Sequence, residues 1–290
     1  MDPGFYLSAL VQGLAFGGLG LGIYLSLRIF NIPDITTDGS YTLGGVVTAI
    51  GMTAGWPPLA ASVMACAAGA LAGICSGMIH TRLRVDALLS GILVMTALYS
   101  INLMLMGRPN LPVANDVSVL NMIGADDSQT AAMLSAVVLI GSVLVALLFF
   151  LRSDFGIALR ATGNSPSMAR ASGIAVNSMK VAGLGISNAL VAFSGSMLTQ
   201  YQGFADINMG IGIVIGGLGA VMVGEALPIP FLRKGIAGVL LAVVLGSILF
   251  RFAIATALSL GIDPNYLRLM TALIVLGIIT LGRIRKKQHA

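Results

Sequence analysis

The chain has 290 residues, of which 57% are apolar and only 9% charged, and its mean hydropathy is +0.97. A soluble domain has about a quarter of its residues charged, so this composition excludes an ordinary soluble enzyme and predicts an integral membrane protein. The net charge of +5 does not point to nucleic acid, because the basic residues sit at the ends of apolar runs, where a membrane protein places them.

Nine apolar runs follow one another, at about 5–28, 40–55, 58–80, 87–106, 129–151, 179–203, 209–227, 235–257 and 266–282. A helix needs roughly 20 residues to cross a bilayer, and most of these runs qualify. None shows the strict alternation of a membrane barrel strand. The expected fold is therefore an all-α, polytopic helical bundle with two short or broken segments, the second and the seventh. The opening "MDPGF" has an acid where the basic region of a secretory signal would lie, so the first run is expected to be retained.

Within the first run Gly13 and Gly17, and Gly18 and Gly22, are spaced four apart, as are Gly69, Gly73 and Gly77 in the third. Small residues at this spacing let helix backbones approach closely and predict packing faces. Cys66 and Cys75 have neither metal nor redox spacing and read as buried small residues. His80 and His289 lie near basic helix ends and read as interfacial. Glu225 lies near the inner end of the seventh run. Arg251 is the one basic residue well inside a run; it reads either as the partner of an acid or, the preferred reading, as snorkelling to the outer surface.

Placing the tail "RIRKKQHA" inside the cell orients the rest. Thirteen of the sixteen lysines and arginines then fall on the cytoplasmic side, all but Arg108, Arg251 and Arg268. Residues 152–178 become a cytoplasmic loop, and 108–129 and 261–266 become external. The polar stretch "PDITTDGSYTLGGVV" (33–47) then faces in, and "ADINMGIGIVIGGLG" (205–219) faces out. In each, Asp-Ile precedes Gly-Gly by ten residues: Asp34-Ile35 before Gly44-Gly45, and Asp206-Ile207 before Gly216-Gly217. An inverted-topology repeat is expected, with 5–106 against 179–282 around a lone helix at 129–151. Such repeats with interrupted helices mark transporter folds. Asp34 reads either as a group on a solute path or as a cap of the helix that follows. Asp38, in "DGS", reads as a helix-start residue.

The chain contains no Gly-Lys pair, hence no phosphate-binding loop of the GxxxxGK[ST] type. Its two histidines, two cysteines and single glutamate are dispersed, so no intramembrane catalytic constellation is expected. In the loop 152–180, "SPSMARASG" predicts a short helix, with Ser165 as N-cap, Pro166 as first residue and Gly173 as terminator.

The segment "GIALRATGNSPSMARASGIAVNSMK" resembles the cytoplasmic loop of permease subunits of bacterial ATP-binding-cassette importers of the branched-chain amino acid and ribose type. Gly156, Arg160, Ala161, Gly163, Ala169, Gly173 and Ile174 fit the pattern. "GLAFGGLGLGIYLSLRIFNIPDITTDGSYTLGG" is similar to the first helix and broken segment of the same family. "DITTDGSYTLGG" with "DALLSGILVMTALYSINLMLMGRPNLP" resembles a subgroup whose partner binding proteins include tryptophan- and tyrosine-binding ones. Where branched-chain permeases tend to read His-Gly-Glu, this chain has Asp38-Gly39-Ser40.

The resemblance implies a non-catalytic permease in the bacterial cytoplasmic membrane that pairs with a second permease. The pair reads as a homodimer because one chain has the complete pattern, with a heterodimer with a sister permease as the alternative. It implies two ATPase subunits docked on 160–174, with Arg160, Ala161, Gly163, Ser165, Pro166, Ala169, Arg170, Gly173 and Ile174 as coupling residues. ATP and magnesium would belong to those partners, and this chain would hold no cofactor or metal. A substrate-binding protein would dock on 107–128, 203–208 and 259–266, with Asp116, Asp126 and Asp127 offering charge. Polar residues in or beside apolar runs are the path-lining candidates: Asp34, Thr37, Tyr99, Asn102, Asn188, Asp206 and Asn208. The alternative is a secondary transporter or channel that needs no ATPase.

Overall fold

The structure, a computed structural model, describes residues 3–113, 128–227, 235–261, 263 and 266–288. Each of the nine apolar runs falls on a helix. Helix α1 (Pro3–Tyr24) continues into a π-helical turn, Leu25–Ile29. It is followed by α2 (Thr36–Thr53), α3 (Pro58–Arg82), α4 (Ala87–Met106), β1 (Asn110–Pro112) and α5 (Ser128–Arg152). Then come α6 (Asp154–Asn164), α7 (Pro166–Ala171), α8 (Val176–Gln202), β2 (Phe204–Asp206), α9 (Ile213–Ala226), α10 (Gly235–Ser259) and α11 (Leu267–Gln288). Six helices are long and apolar enough to cross a membrane: α1 with its π turn, α3, α4, α5, α8 and α10. The molecule is thus an all-α multi-pass membrane bundle.

Two features differ from the expected layout. The segment 154–164 is a helix rather than loop: Ser153 caps it through Gly156 N at 3.3 Å, and Leu159 and Thr162 are buried. The loops after α4 and α8 also meet, β1 pairing antiparallel with β2 in the register Asn110↔Asp206. Three residues per strand are too few for any periodicity to announce them.

Helices α1 and α8 form the centre, in contact with each other. Helix α8 is flanked by α2 and α3, and α1 by α9 and α10. Helix α2 also packs on α3 and α4, and α9 packs on α10 and α11. Leu19, Leu21, Ile23, Tyr41, Leu184, Val191 and Val243 fill the space between them. Lipid tails are as apolar as these side chains, so close packing and hydrogen bonds supply the cohesion. The glycine faces serve this packing. Gly69, Gly73 and Gly77 lie against Ala192, Leu184 and Val181 of α8, with Asn188 between. On α1, Gly13 and Gly17 face α10, whereas Gly18 and Gly22 face α8, so one helix carries two close-approach surfaces.

Candidate functional site

The chain breaks between the π turn and α2. Ile32 N still donates to Ser26 O at 2.9 Å, Asn31 takes a positive φ of 56°, and Pro33 cannot donate. Asp34 then supplies what the backbone lacks. Its Oδ1 accepts from Thr36 N at 2.9 Å and its Oδ2 from Asn188 Nδ2 at 2.6 Å. Asn188 also donates to Leu184 O at 2.9 Å, Thr37 Oγ1 to Asp34 O at 3.0 Å, and Thr36 Oγ1 to Ser76 Oγ at 2.9 Å. All of these side chains are buried. Asp34, Thr37 and Asn188 are therefore brought together where α2, α3 and α8 meet.

A double-mutant cycle measures this node. Asn188→Leu strands one carboxylate oxygen and is expected to cost about 2 kcal/mol in detergent unfolding. Asp34→Leu combined with Asn188→Leu is expected to cost less than the two separately, because both remove the same contact. Strict additivity would show that the bond contributes nothing.

Asp38 is structural, as its sequence setting suggests, but it caps a different helix. Its Oδ2 accepts from Gly212 N at 2.9 Å and its Oδ1 from Val214 N at 3.0 Å, so it closes the N-terminus of α9 rather than that of α2. Asp34 has already capped α2, which begins at Thr36, and Asp38 sits in that helix's first turn. Beside it a narrow cleft is lined by Thr42, Tyr99, Asn102, Ile207 and Ile211. Asn102 donates to Gly39 O at 3.4 Å, and its Oδ1 lacks a partner among the described residues. Tyr99 is 45% exposed and shares its side of α4 with exposed Thr96 and Ser100. Asp206 repeats the local geometry of Asp34: its Oδ1 accepts from the amide two residues on, Asn208 N, at 2.8 Å. The path candidates thus form two groups. Asp34, Thr37 and Asn188 lie at the start of α2; Tyr99 and Asn102 lie at the cleft whose wall continues into the turn holding Asp206 and Asn208.

Between α5 and α8 the chain forms the pair α6–α7. Pro166 takes the first position of α7, and Ser165 precedes it in extended conformation, its hydroxyl 3.3 Å from Ser167 Oγ instead of on a backbone amide. Gly173, with φ +82°, ends the helix; Ile174 N donates to Ala169 O at 3.0 Å and Gly173 N to Arg170 O at 3.1 Å. Ala169 is buried, whereas Pro166, Met168 and Arg170 are exposed. Helix α6 is wedged against the π turn: a Cβ at Gly163 would overlap Ile29 O. Arg160, with its neighbour Ala161 half-buried, lines a polar cleft of about 470 Å³ together with Tyr24, Arg28, Asn31 and Asn164. Arg28 forms an ion pair with Glu225 at the end of α9, a partnership the sequence spacing did not reveal.

Other residues depart from expectation. Cys75 is exposed and Cys66 only half-buried, as lipid-facing positions on α3 would be. Arg251 does not extend outward; its guanidinium lies over the Phe16 ring, 3.8 Å from the centroid. His80 sits at a helix end as expected, Nδ1 2.9 Å from Val85 O and Nε2 3.2 Å from Lys180 Nζ. Asp116, Asp126, Asp127, Arg233, Lys234 and His289 lie outside the described residues. Among the described residues no His, Cys, Asp and Glu cluster could hold a metal.

Comparison with known proteins accords with this architecture. A family described as the permease component of branched-chain amino acid transport systems matches residues 5–280. A tyrosine transport system permease protein of Clostridioides difficile (strain R20291) is 35% identical over 287 residues, covering 98% of this chain and 94% of that one. An uncharacterised protein of Rickettsia prowazekii (strain Madrid E) is 32% identical over 283 residues, covering 97% of this chain and 98% of its own length. No solved structure matches the chain.

Proposed function

The chain belongs to the family of branched-chain amino acid transport permease components, and we propose that it carries an aromatic amino acid or a close relative into the bacterial cytoplasm. The observation that carries this reading is the near-complete match to a tyrosine transport permease, joined to the departure from the branched-chain pattern at Asp38-Gly39-Ser40. The permease pairs with a second copy of itself. Two cytoplasmic ATPase subunits bind and hydrolyse ATP with magnesium, and an external binding protein delivers the solute.

The ATPase docks on the exposed side of α7, at Ser165, Pro166, Arg170 and Gly173. What supports this is a preformed helix that Pro166 starts and Gly173 ends, joined to α6, whose Arg160 and Gly163 lie beside the π turn, while Ala169 is buried and its carbonyl accepts from Ile174 N. Motion of α7 would then pass through α6 to α1 as a rigid push. The binding protein docks at the end where β1 and β2 meet, which brings the segments 107–113 and 203–208 side by side. Tyr99, Asn102, Asp206 and Asn208 lie along the solute route, while Asp34, Thr37 and Asn188 hold the broken helix in place.

Nine crossings in two inverted halves complete the proposal. What supports this is that exchanging α1 with α8, α2 with α9, α3 with α10 and α4 with α11 carries contacts among these helices onto one another, α3 on α8 becoming α10 on α1 and α2 on α4 becoming α9 on α11, while α5, outside the exchange, packs on α1 and α10. Asp34 and Asp206 make matching turns at equivalent places.

Co-purification tests the motor. The tagged chain, extracted from its host in mild detergent, is expected to retain an ATPase at about one copy per permease, as a symmetric assembly requires. Arg160→Glu with Gly173→Pro is expected to lower that retention at least tenfold while membrane insertion is unchanged, a loss of about 1.4 kcal/mol in binding. A folded permease with no associated ATPase would favour the ATPase-independent transporter.

A further inference from the structure

We propose that the cleft between the N-terminal end of α1 and the C-terminal ends of α8 and α10 binds an oxyanion carried on an apolar body, with Arg251 as the recognising group. The cleft measures about 400 Å³, within the range of roughly 300–1,000 Å³ usual for small-molecule pockets. Phe5 and Leu258 give it apolar walls, and Gln12 and Gln202 give it hydrogen-bonding groups around Arg251, beside Ser8, whose hydroxyl donates to Gly4 O at 2.9 Å. No carboxylate lines it among the described residues.

Arg251 carries the argument. It lies inside an apolar helix, at a depth where charged side chains are costly and are retained for a partner. Among the described residues it makes no ion pair, and its buried Nε has no hydrogen-bond partner. The Phe16 ring beneath it offsets only part of the desolvation of a guanidinium, since a ring face supplies a weaker field than an anion. The ring also holds the guanidinium in place, and Arg251 is one of the residues that border the cleft. A planar guanidinium matches carboxylate and phosphate oxygens alike, and the side-chain amides of Gln12 and Gln202 nearby can take up the remaining oxygens. On the proposed orientation this cleft opens at the outer face of the membrane. It is separate from the Tyr99–Asn102 cleft, and the inference does not depend on which solute is transported.

Two sources can supply this chemistry: a free carboxylate solute or an anionic lipid headgroup. The full-length chain is purified into nanodiscs of phosphatidylcholine alone, and its unfolding midpoint is measured with 3-phenylpropionate, with the neutral 3-phenylpropionamide, and with a fraction of phosphatidylglycerol in the disc. An upward shift of about 3 °C is expected with an anionic probe and not with the amide, and Arg251→Met is expected to abolish it. A shift with 3-phenylpropionate alone assigns the cleft to a solute, with phosphatidylglycerol alone to a lipid, and with both to either as occupant. If Arg251→Met does not fold, Ser8→Leu, which fills the cleft and leaves Arg251 in place, is expected to halve the shift or more. No shift from either anion, an equal shift in Arg251→Met, or a full shift in a folded Ser8→Leu variant overturns the proposal.

Discussion

Gly73→Leu is expected to lower the unfolding midpoint of the purified permease by roughly 10 °C, and Gly44→Leu to do the same. A Cβ at Gly73 would overlap Leu184 O, and one at Gly44 would overlap Ala192 O. Both obstacles are backbone of α8, which cannot rotate aside as a side chain can. The helices must separate along their length, losing the dispersion contacts that hold a membrane bundle together. Overpacking of this kind costs about 3 kcal/mol or more. The control is Gly141→Leu on α5, where an added Cβ meets nothing within 4 Å. There the substitution gains roughly 1 kcal/mol of helix propensity and is expected to be neutral or stabilising. Equal midpoints for Gly73→Leu and Gly141→Leu, measured by thermal unfolding in one detergent, would show that the α3–α8 contact does not depend on its glycines.

These glycine faces were legible in the sequence because a spacing of four is a local signal that survives into the fold. The same holds for α7, where Pro166 at the first position and Gly173 beyond the last state the ends of the helix outright. The helix α6 was not legible. Gly156 and Gly163 lower its intrinsic propensity, and it forms because Leu159 and Thr162 bury against neighbours remote in sequence. The signal that could have found it is Ser153-Asp154, a cap followed by an acid in the first turn. Asp34 and Asn188 could each be picked out as polar residues in apolar surroundings, yet only the packing of α2 on α8 shows that each is the other's partner. Asp38 shows the limit most clearly. Its sequence setting announces a cap, but the choice of helix depends on Asp34 taking α2 first, and the recipient lies 174 residues away.

That long-range cap has a large expected effect of its own. Asp38→Leu removes two acceptors from the first amides of α9, Gly212 N and Val214 N, and removes the negative charge facing that helix's N-terminus. Loss of a cap costs about 1 kcal/mol and loss of a partly buried charge at a helix terminus up to about 2 kcal/mol, so a total near 3 kcal/mol is expected. Asp38→Asn retains one acceptor oxygen and is expected to lose about half as much. The damage should be local in origin. Helix α9 is short, begins at the level of α2's first turn, and leans on α1, α10 and α11, so the cap sets where it starts rather than whether it packs. Hydrogen exchange distinguishes this from general destabilisation. In Asp38→Leu, under conditions where the protein stays folded, exchange at Gly212 and Val214 is expected to rise at least tenfold, while amides in the middle of α8 remain protected. Because the first turn of α9 adjoins the cleft of Tyr99 and Asn102, transport by the reconstituted complex is expected to fall along with that protection. Unchanged exchange at Gly212 and Val214 would mean that α9 holds its start without Asp38. The carboxylate would then have to be explained by the cleft it borders, not by the helix it caps.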